Sequence, residues 1–316
     1  MKSLTIFALS WIALLTPTAE AFADSKIAAA FSGLRLDEAR RMLAAAPRDE
    51  PQVLYFLAHL AIWDHETERA LSLASQCLEL DGDASICHEV WGAALSLQLL
   101  DSPMFEQYGL ARQSRGAWEH AVELDPTNLR VRMMLLRYYR QAPWIAGGSR
   151  KKALAQERKI AQLSASRASE AKGLNLYFDG DYDAALTLFL KARAQVKDSF
   201  DPGYYVPLAA ARAGDHTTGI RAFAELLEAN PDDWDGWFYL GYARLKERPA
   251  INVSEQTLTD ASEDIEPPSA RARSLYAYGR MLDHIEEQDA ARAAFAAALG
   301  ADSELTEAAR ALDALR

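Results

Sequence analysis

The chain has 316 residues, half of them apolar, and its 45 Asp and Glu outweigh 34 Lys and Arg to give a formal net charge of -11. That acidic balance argues against nucleic acid, or an anionic membrane surface, as a general partner unless a local basic patch overrides the overall field, and it favours solubility. A single globular core usually divides at about this length, whereas a solenoid escapes the limit by growing lengthwise.

The first element is MKSLTIFALSWIALLTPTAEAFADS, in which Lys2 precedes an apolar run from Leu4 to Leu15 that is too short to span a bilayer with ease. Ala19-Glu20-Ala21 and Ala21-Phe22-Ala23 both match the small-x-small cleavage pattern, so residues 1–23 read as a signal peptide cut after Ala23. The expectation is a mature chain, residues 24–316, that is periplasmic or secreted and keeps no integral membrane segment. An uncleaved anchor is the alternative. Further on, the two cysteines, Cys77 and Cys87, flank the turn-like ELDGDAS. If one lies near the end of a helix and the other near the start of the next, an antiparallel hairpin brings them level, and an exported chain can oxidise them. Two buried thiols acting as small apolar fillers are the other reading.

A fixed spacing then organises the helices. Ala58 and Gly92 are 34 residues apart, and Gly173 and Gly241 are 68 apart with Pro207 midway. Ala185, Gly219 and Ala291 follow Gly173, Pro207 and Gly279 by twelve, and Phe189, Phe223 and Phe295 come four residues later. Small residues at two points, an aromatic one turn on and a closing proline are what two antiparallel helices need to pack closely and turn back. RVRMMLLRYYR, residues 130–140, reads as the first helix of such a pair and KKALAQERKIAQL as its second. Between them QAPWIAGGS is an enlarged turn in which Gly147 and Gly148 permit unusual backbone angles, Ser149 caps the next helix, and Trp144 or Ile145 tucks against the core.

These residues resemble the tetratricopeptide repeat family, whose 34-residue helix pair carries W…LG…Y and then A…F…A…P. The carriers are WFYLG (Trp237, Leu240, Gly241), GDYDAALTLFLKA (Ala185, Phe189, Ala192), GIRAFAELLEANP ending at Pro231, and AARAAFAAAL (Ala291, Phe295, Ala298). The resemblance covers nearly all of residues 24–316 and suggests an exported bacterial protein with an all-α, right-handed α-solenoid fold of about seven or eight degenerate helix pairs. Pro207 replaces the family's glycine and is expected to kink or shorten its helix. Residues 246–271, with Pro249, Pro267 and Pro268, read as an irregular insertion holding one short helix.

The resemblance implies that ligands touch the first helix of each pair, on a concave wall mapping to Tyr55, His59, Trp63, Met133, Arg137, Tyr177, Tyr204, Leu208, Phe238, Tyr242, Tyr276 and Arg280. Aromatic bodies with arginines among them suit a protein or peptide partner, or an amphiphile. A competing assignment makes these rings packing between successive pairs. Gly147, Gly148, Ser149 and Arg150, with Lys151 and Lys152, form a candidate anion site at a helix start. No local pattern supplies a catalytic or metal centre: the six histidines include no pair at helical spacing, and there is no nucleophile elbow or phosphate loop. The sequence thus points to a non-enzymatic scaffold without a cofactor, with a small-molecule-binding accessory protein of a periplasmic transport system as the alternative.

Overall fold

The computed structural model describes residues 26–32, 36–195, 200–229 and 250–315. Among them the regular structure is helical: sixteen α-helices and one 3-10 turn. The signal-peptide segment, Pro231, Trp237, Phe238, Leu240, Gly241 and Tyr242 lie outside the described residues, as does the Tyr204 side chain.

Lys26–Ser32 (α1) and Leu36–Ala44 (α2) pack on one another at the start. Five hairpins follow: Pro51–Trp63 with Thr67–Leu80 (α3, α4), Ser85–Asp101 with Met104–Leu124 (α5, α6), Leu129–Gln141 with Arg150–Leu163 (α7, α8), Ala165–Asp179 with Tyr182–Gln195 (α9, α10), and Phe200–Ala213 with His216–Ala229 (α11, α12). Within residues 250–315, Glu255–Asp260 (α13) precedes Pro268–His284 (α14), Gln288–Ala301 (α15) and Thr306–Ala314 (α16). The helices pack mainly on their sequence neighbours, with α3 also on α5, α7 on α9, and α12 on α14, while the short α13 packs on α15. Serial stacking of hairpins is the definition of an α-solenoid.

The small-residue seams explain the close approach. A β-carbon on Gly173 would lie 2.8 Å from Phe189 Cε1, one on Gly279 2.6 Å from Phe295 Cε1, and one on Gly92 2.5 Å from Trp118 Nε1. The aromatics Phe189, Phe295 and Trp118 are fully buried, so each ring lies directly on the glycine of its partner helix. For Gly173–Phe189 and Gly279–Phe295 the sixteen-residue spacing read from the sequence is the spacing of the contact, while the longer helices of the Gly92 hairpin set Trp118 twenty-six residues on.

Two expectations change. Of the two effects expected of Pro207, shortening does not occur: the α11 helix runs through it to Ala213. Tyr205, Val206, Leu208 and Ala209 around the proline are all buried, and their packing outweighs the lost backbone hydrogen bond. The enlarged turn also differs: Trp144 and Ile145 are 85% and 53% exposed, while Ala146 is the residue that is buried. Trp144–Ala146 forms the 3-10 turn, and Gly147 follows in the left-handed region at φ 95°.

Cys77 in the last turn of α4 and Cys87 in the first turn of α5 form a disulfide, with Cα atoms 5.3 Å apart. It joins one hairpin to the next.

Candidate functional site

The first helices of the hairpins carry the predicted wall, and in the N-terminal half that wall is closed. Helix α3 buries every residue from Val53 to Ile62, and α7 every residue from Arg130 to Tyr139. A helix covered all round lies inside a core. Tyr55, His59, Met133, Arg137, Tyr177 and Leu208 are therefore enclosed, not displayed on an open trough. The cause is tight winding, since first helices meet others two hairpins away. His59 on α3 accepts from Arg130 Nη2 on α7 at 3.4 Å, and the Arg137 guanidinium lies 5.3 Å from the Tyr205 ring centre on α11.

Two buried ionic clusters occupy this inner layer. In one, Glu89 on α5 sits 2.9 Å from Arg130 Nε, accepts from the Tyr55 hydroxyl at 2.7 Å and from Asn128 Nδ2 at 3.2 Å. Its backbone carbonyl accepts from Trp118 Nε1 at 3.1 Å. Burial, reinforced by the Arg130 charge, pushes the His59 pKa well below the ordinary imidazole value, so the ring is neutral at pH 7 and its 4.0 Å approach to Glu89 is not an ion pair. Burial likewise raises the Tyr55 hydroxyl well above its usual range. The cluster thus holds one carboxylate, one guanidinium and three neutral partners, Tyr55, His59 and Asn128, an arrangement that locks three hairpins together. In the other, Glu170 accepts from Arg137 Nη2 at 3.3 Å and from Arg167 Nη1 at 2.9 Å.

Sequence reasoning passed over Glu89, Glu170, Arg130 and Arg167. The available signal was a lone charge inside an apolar helix: Glu89 is the only ionised residue in SICHEVWGAALSLQLL, and it stands 34 residues after its partner Tyr55.

In the C-terminal part of the wall Tyr276 is buried as well, against Phe295, and Arg280 is the member that keeps some exposure. Arg280 on α14 is half-buried, donates to the Tyr276 hydroxyl at 2.9 Å, and lies 5.8 Å from that ring's centre. Nearby, His216 Nδ1 and the Tyr278 hydroxyl are 2.7 Å apart, and Glu287 takes a bond from Arg212 at 2.5 Å and from the Ile251 amide at 2.9 Å. Trp63, the remaining described member of the wall, is partly buried against the core.

The candidate anion site does not assemble. Ser149 caps α8 as expected, accepting from the Lys152 amide at 3.3 Å, but its own amide donates to Tyr139 O at 2.7 Å and that of Gly148 to Pro143 O at 3.1 Å. Arg150 is tied to Asp179 at 2.7 Å, and Arg140 shares the same carboxylate at 2.6 Å. The amides of Gly147, Gly148, Ser149 and Lys152 are thus committed within the turn and its cap, and Arg150 and Lys152 are each paired with a carboxylate, Asp179 and Glu119. Arg150 and Arg140 also hold the Asp179 carboxyl below its usual range, chiefly through the Arg150 hydrogen bond.

His88 and His120, from helices α5 and α6, meet edge to face with ring centres 4.5 Å apart, a pairing with no sequence signature. Among the described residues no group of three or more His, Cys, Asp or Glu converges as a metal site, and no helix is long and apolar enough to cross a membrane.

Stacked antiparallel hairpins with small-residue seams define an all-α solenoid. No protein-family model matches the chain, and neither does any curated protein. Among solved structures it is similar to YrrB, described as a TPR protein with an unusual peptide-binding site, at 19% identity over 58% of this chain and 89% of that one, with a TM-score of 0.33. A tetratricopeptide repeat protein from Parabacteroides merdae is 14% identical over 84% and 98% of the two chains, with a TM-score of 0.35. The APC/C hetero-tetramer Cut9-Hcn1 matches 98% of this chain at 12% identity and a TM-score of 0.49, and only 54% of its own chain is spanned. The architecture described above stands on this chain's own geometry.

Proposed function

We propose that this protein is an exported scaffold that holds an extended segment of a partner protein against the C-terminal part of its inner wall. The observation that carries the reading is the Tyr276–Arg280 pair, in which a half-buried guanidinium is held beside an aromatic face at a position where the repeat pattern expects ligand contact. A fixed guanidinium offers charge-assisted hydrogen bonds to a carboxylate or peptide carbonyl, and the buried Tyr276 ring, packed against Phe295, holds it in place. From α3 to α11 the described wall residues, apart from the partly buried Trp63, are buried in internal packing and ionic clusters, which confines the reading to Arg280 on α14, with Tyr204, Phe238 and Tyr242, expected from the repeat pattern, as further members. Cleavage after Ala23 and the Cys77–Cys87 disulfide both fit an oxidising compartment outside the cytoplasm.

The test is affinity capture from the native envelope, followed by titration of peptides from whichever protein is enriched. Arg280→Ala should weaken the peptide about tenfold while circular dichroism stays helical. Unchanged affinity in that variant, or loss of the fold on Tyr276→Ala, would assign the pair to packing and end the proposal.

A further inference from the structure

The turn between α7 and α8 is built to display what its sequence suggested it would hide. Five bonds hold it from within: Tyr138 Oη donates to Ala146 O at 2.7 Å, Arg115 Nη1 donates to the same oxygen at 3.1 Å, and the amides of Gly147, Gly148 and Ser149 donate to Trp144 O, Pro143 O and Tyr139 O. Arg115 and the Ala142 carbonyl fill the space where side chains on Gly147 and Gly148 would stand. The backbone is therefore fixed, and from this support an indole and an isoleucine side chain project into solvent.

The charge around the turn runs against that of the molecule. From Pro126 to Gln156 the chain has seven Lys and Arg and no Asp or Glu, in a protein of net charge -11. Three of the seven, Arg130, Arg132 and Arg137, are buried. At the turn itself Arg115, Arg140, Arg150, Lys151 and Lys152 face only two carboxylates, Asp179 and Glu119, leaving a local excess of three positive charges. Phe105, also strongly exposed at the start of α6 in the preceding hairpin, has Glu106 beside it and Asp101 close by and lacks this setting.

We propose that the Trp144–Ile145 turn is a peripheral attachment point for an anionic lipid bilayer. Tryptophan and an aliphatic tip flanked by Lys and Arg are the side chains that settle at the boundary between headgroups and acyl chains. A convex tip on a rigid support inserts into a deformable interface without needing a shaped pocket, which a protein partner would have to supply. Apolar insertion and cationic attraction are two weak signals that together give reversible binding. The acidic remainder of the molecule is repelled by the same surface, so the turn is presented toward it.

The experiment is co-sedimentation of the mature full-length chain with phosphatidylcholine vesicles, with and without phosphatidylglycerol. Binding should require phosphatidylglycerol, weaken as salt rises, and fall about tenfold or more in Trp144→Ala/Ile145→Ala, whose exposed positions leave helicity intact. Lys151→Glu should weaken it in the same direction, Phe105→Ala should change it less than about twofold, and a lipid-dependent blue shift in tryptophan emission should vanish in Trp144→Phe. Absence of binding to both vesicles, equal binding by the double variant, an equal loss in Phe105→Ala, or capture of a polyglutamate peptide with no vesicle binding would each overturn the proposal. These variants leave Arg280 and Tyr276 untouched, so the result is independent of the peptide reading.

Discussion

Replacing Gly92 by alanine puts a methyl 2.5 Å from Trp118 Nε1, 2.8 Å from Trp118 Cδ1 and 2.9 Å from the Ser114 carbonyl oxygen. The indole is fully buried and holds the Glu89 carbonyl, so it cannot swing aside, and the Ser114 oxygen belongs to the backbone of α6. The two helices must separate. Overpacking of this kind costs about 1–3 kcal/mol, and disturbing the indole hydrogen bond adds about 1 kcal/mol. Removing glycine from a helix interior returns up to about 1 kcal/mol. The expected net loss is about 2 kcal/mol, read by urea denaturation followed by circular dichroism. Gly116, exposed on the same α6 helix with nothing near its missing β-carbon, is the matched control: its alanine variant should gain about 0.5–1 kcal/mol. A Gly92→Ala protein as stable as the parent would refute the close-packed seam.

Other outcomes follow from the same geometry. Glu89→Gln removes the counter-charge of buried Arg130 and should cost about 3–5 kcal/mol, whereas joint replacement of Glu89 and Arg130 by Gln and Met should recover much of it; equal losses in both proteins would show that the pair is not coupled. Cys77→Ser/Cys87→Ser opens a ten-residue loop and should lower stability by about 2–3 kcal/mol, with intact-mass measurement confirming the bond in the parent. Burial pushes the His284 pKa down to about 4, with the Arg280 charge adding to the shift, so the unfolded chain takes up this proton first. Stability should be flat above pH 7 and fall by about 3 kcal/mol as pH drops from about 6.5 to 4, with His59 and His216 acting in the same direction and Asp283, raised by burial, offsetting part of it in the carboxylate range. A flat denaturation profile between pH 7 and 5 would contradict these placements. Mass spectrometry of the exported protein should find Asp24 at the N-terminus, and retention of Met1 would remove the export argument.

The helical-repeat architecture was legible because it is written in residue size. Gly92, Gly173 and Gly279 mark where an aromatic ring must lie against a backbone, and the sixteen-residue interval from Gly173 to Phe189 and from Gly279 to Phe295 is the step across one hairpin. The cap at Ser149 was local enough to read in the same way, whereas Cys77 and Cys87 left two readings open, of which the structure shows the disulfide. The inner wall was not, because its state depends on how tightly the stack winds, which no single repeat encodes. The same Tyr55 or Arg137 would face solvent in a wider coil and here meets residues two hairpins away, Arg130 and Tyr205. The exposure of Trp144 was missed for a related reason: an apolar residue beside glycines reads as an anchor for the turn, but here Ala146 and the Tyr138 hydroxyl do the anchoring.

The long reach of Arg130 and Arg137 bears on how the molecule comes apart. A linear array whose units touch only adjacent units frays from its ends one step at a time. Here α7 grips partners on both flanks, and through His59 and Tyr205 it reaches past them, so excision or duplication of any one hairpin between α3 and α11 would strand a buried ion. That segment should melt as one block, and its repeat number is fixed against the slippage by which such arrays grow and shrink.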